Sequence, residues 1–149
     1  MKWMRGLLMA LLLVGMIGCS GGKDLVRWIS LEKGLSVQQE SGRPILFYFY
    51  SKNCVYCKLM RLNTFSDPDV AEKINSAFVP VKLDIEEKRE GGIPSGSKLA
   101  SAFGIRAVPA LVAVNAAHRT LDSRMGFLTV RKTLAFVSKI AAMGEGAHE

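Results

Sequence analysis

The stretch Ile45-Leu46-Phe47-Tyr48-Phe49-Tyr50-Ser51-Lys52-Asn53-Cys54-Val55-Tyr56-Cys57-Lys58 decides the fold. Its first half, Ile45 to Tyr50, is a strongly apolar, aromatic run of strand length, the signal of a buried strand, with Pro44 at its edge. Cysteines follow at 54 and 57 and open what reads as a helix over Val55–Leu62. A Cys-x-x-Cys pair at a strand-to-helix junction is where thiol–disulfide chemistry is usually built. Helical positions three apart share a face, so these two cysteines can reach the ~5.5 Å Cα separation that a disulfide prefers.

The junction also supplies reactivity. Cys54 falls at the helix N-terminus, where unsatisfied N–H groups and the macrodipole favour an anion. A free thiol has a pKa near 8.5, so only about 3% is thiolate at neutral pH. Half ionisation needs a shift of about 1.5 units, or about 2 kcal/mol, which a favourable helix terminus can supply. Lys52 and Lys58 add positive charge beside it. Cys54 is therefore the expected nucleophile, and Cys57, one turn further in, the resolving thiol.

Outward from this stretch the chain alternates. Apolar residues at Leu25, Trp28, Ile29, Leu31 and Leu35 predict a helix over Asp24–Glu40, ended by Ser41-Gly42. Ser66-Asp67-Pro68-Asp69 reads as a fresh helix start with a polar N-cap and Pro at N1. A second strand is expected over Phe78–Leu83, closed by Asp84, then a charged, Gly-rich loop over Glu86–Gly96. A short helix over Ser97–Phe103 stops at Gly104. Ala110–Val114 is a strand turned by Asn115–His118 into Thr120–Met125, and Gly126 precedes a helix over Thr129–Ala142. The order implies an α/β sandwich with a mixed sheet.

The N-terminus addresses location. Lys2 and Arg5 precede an apolar run from Leu7 to Ile17, shorter than the roughly 20 residues of a spanning helix. Residues 1–18 thus read as a signal peptide. Met16-Ile17-Gly18-Cys19 resembles a bacterial lipobox, with cleavage before Cys19 and acylation of its thiol; an ordinary secretory signal with an incidental cysteine is the alternative. Ser20 leans toward the outer membrane. Residues 19–23 form a flexible tether, 24–143 a domain and 144–149 a tail. Taking 18 from 149 leaves 131 residues, one domain with a core of its own. The net charge falls from +7 to about +5 without Lys2 and Arg5. The basic residues are scattered singly among acids, so no nucleic-acid partner is expected.

The order of elements, the Cys-x-x-Cys and Phe103-Gly104-Ile105-Arg106-Ala107-Val108-Pro109-Ala110-Leu111 together resemble the thioredoxin superfamily. Cys57-Lys58 with Asn63-Thr64-Phe65-Ser66-Asp67-Pro68-Asp69-Val70 looks closest to the branch holding the periplasmic C-terminal domain of the disulfide reductase DsbD and small exported relatives. The resemblance implies a three-layer sandwich around a mixed central sheet. It implies that Pro109 is cis and lies against the cysteines, that Val108 offers its backbone to an extended substrate, and that Tyr56 lines the approach. It also implies protein thiols and disulfides as partners and an upstream membrane electron donor of the DsbD type. Thioredoxins carry Trp and Gly-Pro where this chain has Asn53 and Val55-Tyr56. Their buried carboxylate six residues before the first cysteine falls at Tyr48. Proton handling for Cys57 is thereby left to water, Tyr48 or a residue such as Glu86.

These readings converge on a periplasmic, membrane-tethered thiol–disulfide oxidoreductase of the reductase or interchange kind. The alternative is a redox-silent binding module or copper-handling chaperone on the same scaffold. No metal or cofactor is expected: besides its thiols the chain offers only His118 and His148 as imidazole ligands, and Lys58 stands where a c-type haem motif needs His.

Overall fold

The computed structural model describes residues 22–88 and 92–145. The signal segment and Cys19 lie outside them, as do residues 89–91 of the charged loop and 146–149. In chain order the elements are α1 (Leu31–Ser41), β1 (Ile45–Tyr50), α2 (Val55–Asn63), α3 (Pro68–Ala77), β2 (Val79–Asp84), α4 (Gly96–Ala102), β3 (Ala110–Val114), β4 (Thr120–Met125) and α5 (Val130–Glu145). None of these helices is long and apolar enough to cross a membrane.

The four strands form one mixed sheet in the order β2-β1-β3-β4. β1 runs parallel to β2 and antiparallel to β3, and β3 is antiparallel to β4. Alternate residues of β1 feed two cores. Leu46 and Tyr48 join Met60, Phe65, Val70, Ile74, Phe136 and Ile140 beneath α2, α3 and α5. Ile45, Phe47 and Phe49 join Leu31, Val81, Ala100 and Val112 beneath α1 and α4. Burial on both faces explains the unbroken apolar run in β1. The result is the expected three-layer sandwich.

Most boundaries fall where the sequence places them. Asp67 caps α3, its carboxylate accepting the N–H groups of Asp69 and Val70, with Pro68 first in the helix. The hairpin of β3 and β4 has the expected bounds. The start of α1 differs. Asp24 to Ser30 is extended, and the helix begins only at Leu31. Ile29 donates its N–H to the Pro80 carbonyl (3.0 Å) and accepts from the Lys82 N–H (3.2 Å), forming a parallel bridge along β2. Val26 enters the core and Trp28 packs on Tyr48 and Phe65. Helix-like spacing here thus arises from side chains of an extended segment. Before that segment Gly22 abuts Leu62, where a Cβ would come within 2.9 Å of the leucine side chain. At the other end α5 continues to Glu145, past the expected end of the domain at 143.

Candidate active site

β1 delivers the chain to the C-terminal end of the sheet, and Ser51 to Asn53 turn it into α2. The Cys54 N–H donates to the Ser51 carbonyl (3.2 Å), and the Asn53 N–H to the Ser51 hydroxyl (3.2 Å). Cys54 is the N-cap of α2, with extended φ −83° and ψ 112°. Its sulfur accepts the Cys57 N–H at 3.1 Å, the bond a polar cap makes to an otherwise orphaned amide. Cys54 and Cys57 are joined as a disulfide with Cα atoms 5.2 Å apart, inside the range such bonds occupy. Cys54 is half-buried, whereas Cys57 is 3% exposed.

From the other side comes the segment before β3. The Val108–Pro109 peptide is cis. The Val108 carbonyl oxygen lies 3.7 Å from Cys54 Sγ. Pro109 is buried, and its carbonyl accepts the Gly126 N–H at 2.7 Å, which fixes the segment against β4. Gly126 adopts φ +90°, a conformation open to glycine. The structure thus brings Cys54, Cys57, Val108 and Pro109 together. Tyr56 is 62% exposed on the first turn of α2 beside Val55, at 68%.

On the flank of β1 away from Pro109, a cavity of about 220 Å3 opens beside the disulfide. Its lining is set by Tyr48, Tyr50 and Ser51, by Lys82 from β2, and by Lys52, Lys58 and Arg61 around α2. Lys52 pairs with the buried Asp84 at 3.6 Å. The Lys82 ammonium stands 4.3 Å from the centre of the Tyr50 ring and 5.9 Å from that of Tyr48. Burial holds the Lys82 pKa below its ordinary value, an effect the nearby Asp24 carboxylate opposes.

The groups considered for proton handling separate. The Tyr48 hydroxyl donates to the Cys57 carbonyl at 3.3 Å. Burial, with the Asp24 charge next, drives its pKa well above the ordinary phenol value, so it stays protonated. Glu86 is exposed and does not line the cavity. The acid that does face this region is Asp24. Its carboxylate accepts from the Val26 N–H and from the Trp28 indole (both 3.0 Å), and burial holds its pKa above the carboxylate range. Sequence reading missed Arg61, one turn past Cys57, and Asp24 and Lys82, which lie far from the cysteines along the chain. Asp24 is tied to Tyr48 by its own charge and by the contact of Trp28 with the Tyr48 ring.

Comparison with known proteins agrees with this fold. The family model of thioredoxin-like domains matches residues 31–141. The chain belongs to the thioredoxin-like family. Among solved structures it is similar to a thioredoxin from Thermus thermophilus, at 26% identity over 83% of this chain and 96% of that one, with a TM-score of 0.67. A putative disulphide-isomerase from Bacteroides thetaiotaomicron shares 23% identity over 82% and 94%, with a TM-score of 0.64. The C-terminal domain of DsbD from Neisseria meningitidis, in its oxidised form, shares 18% over 72% and 90%, with a TM-score of 0.60. No curated protein sequence matches the chain.

Proposed function

We propose that this thioredoxin-like protein is a thiol–disulfide oxidoreductase of the reductase or interchange kind, acting on protein disulfides outside the cytoplasm. The observation that carries the reading is the Cys54–Cys57 disulfide at the N-terminus of α2, with Cys54 half-buried beside the Val108 carbonyl and Cys57 buried. In the reduced protein Cys54 thiolate attacks a substrate disulfide, one substrate sulfur leaves as a thiolate, and a mixed disulfide forms. Cys57, as thiolate, then attacks Cys54 Sγ and expels the second substrate thiolate. Two electrons pass to the substrate, whose two thiolates take up protons, and the protein is left with the Cys54–Cys57 disulfide. Val108 and Pro109 align an extended substrate segment, and Tyr56 forms part of the surface it crosses.

Reduced protein is regenerated by a membrane donor of the DsbD type. Residues 1–18 direct export, and acylation of Cys19 anchors the domain on the periplasmic side of a bacterial membrane, with Ser20 favouring the outer one. Metabolic labelling with a fatty acid tests the anchor: label in the wild type and none in Cys19→Ala is the expected result.

Insulin reduction tests the chemistry. Cys54→Ser should abolish turnover, and Cys57→Ser should accumulate the mixed disulfide. Activity in Cys54→Ser equal to that of the wild type would falsify the reading. The equilibrium potential of the couple against glutathione fixes the direction of electron flow: a value near about −270 mV marks a reductase, one near about −120 mV an oxidant.

A further inference from the structure

The cavity beside the disulfide has a charge pattern that exchange chemistry alone does not require. Lys52, Lys58, Arg61 and Lys82 line it, and among the described residues no carboxylate does. Asp84 is engaged by Lys52, and Asp24 is held by the Val26 amide and the Trp28 indole. Glu87 acts electrostatically on Tyr50 from outside the lining. Any group entering therefore touches cations and phenol rings first. Lys82 is half-buried over the Tyr50 ring, and desolvation holds its pKa below the ordinary value although the charges of Asp24 and Asp84 work against that. An anion brought into contact would restore what burial removes.

Position gives this charge a role. β1 carries the cysteines between two neighbours, β3 behind Pro109 on one side and β2 with Lys82 on the other. The Val108 carbonyl and the cavity meet at Cys54, so a substrate segment held along Val108 with its cysteine on Cys54 would have an adjacent residue within reach of the β2 flank. We propose that this cavity selects protein disulfides whose reacting cysteine has an Asp or Glu beside it, the carboxylate seating among Lys58, Arg61 and Lys82. The inference rests on the oxidoreductase reading and adds to it a substrate class.

The test uses the reduced, full-length mature chain and three disulfide peptides that differ only in a Glu, Gln or Lys next to the cysteine. Second-order exchange rates should rank Glu above Gln by about tenfold, with Lys slowest, and the gap should shrink to about twofold in 1 M salt. The double variant Arg61→Gln/Lys82→Gln should bring the Glu-to-Gln ratio close to one. Lys58→Gln, an exposed single change, should lower the ratio if the double variant does not fold. Because each ratio is taken within one variant, altered thiol reactivity cancels. Equal rates for the Glu and Gln peptides overturn the proposal while leaving disulfide exchange standing, as does a ratio that both variants leave unchanged. Absence of exchange with every peptide overturns the oxidoreductase reading itself. Glutathione disulfide and its tetraester, which lacks the carboxylates, form the last pair: a carboxylate advantage there, with none among the peptides, replaces the proposal by a small anionic disulfide.

Discussion

At the residue scale, Tyr48 stands where a thioredoxin keeps a buried acid and does different work. Its hydroxyl holds the Cys57 carbonyl in the first turn of α2, while its ring packs between Trp28 and Phe65. Tyr48→Phe removes one buried hydrogen bond and keeps the ring, so stability should drop by about 1 kcal/mol, seen as a lower urea midpoint at unchanged slope. Asp24 governs the acid side of the pH profile. A carboxyl whose folded pKa lies above its unfolded value adds stability that is complete below the latter, near 3.8, and is lost as pH rises through the former. Asp24→Asn cannot ionise, so its stability relative to wild type should improve as pH climbs from about 3.8 toward neutrality. Denaturation of both proteins across that window checks the sign. The missing acid at position 48 was legible in the sequence; its neighbour was not, because Asp24 reaches Tyr48 only through folding.

At the element scale, α1 shows where local reasoning stops. Gly34 lies inside this helix, where propensity alone predicts that alanine would stabilise by about 1 kcal/mol. The structure predicts the reverse. A Cβ at Gly34 would collide with the Val81 side chain, and the helix packs its buried face there on β2. Gly34→Ala should cost about 1–3 kcal/mol in chemical denaturation, the range of an overpacked contact. Strands β1, β3 and β4 and helix α2 were readable because their signals are local: an apolar run, a turn, a cap. The cysteine pair was readable for the same reason, whereas Val108–Pro109 entered through the resemblance carried by the order of elements and the residues around them. The cation cavity was not readable, since Lys82 joins Arg61 and Lys58 only through the parallel register of β1 and β2. The start of α1 was misread because Leu25, Trp28 and Ile29 mimic helical spacing while lying on an extended segment.

At the scale of the whole molecule, helices cover both faces of the sheet, and the segment before α1 covers part of its rim. Ile29→Pro would delete the N–H that bonds the Pro80 carbonyl and disturb the bond from the Lys82 amide. Hydrogen exchange at the Lys82 amide should then accelerate, while amides of β3 keep their protection. Among the described residues no strand pairs with β4 on the side away from β3. The bridge at Ile29 therefore decides more than local order. Unpaired strand rims are the usual route by which folded sheets stack into ribbons, and a sheet obstructed along one rim can join a like neighbour along the other rim alone. Growth that begins there meets, on the far side of each added sheet, a rim already partly occupied by the Ile29 segment.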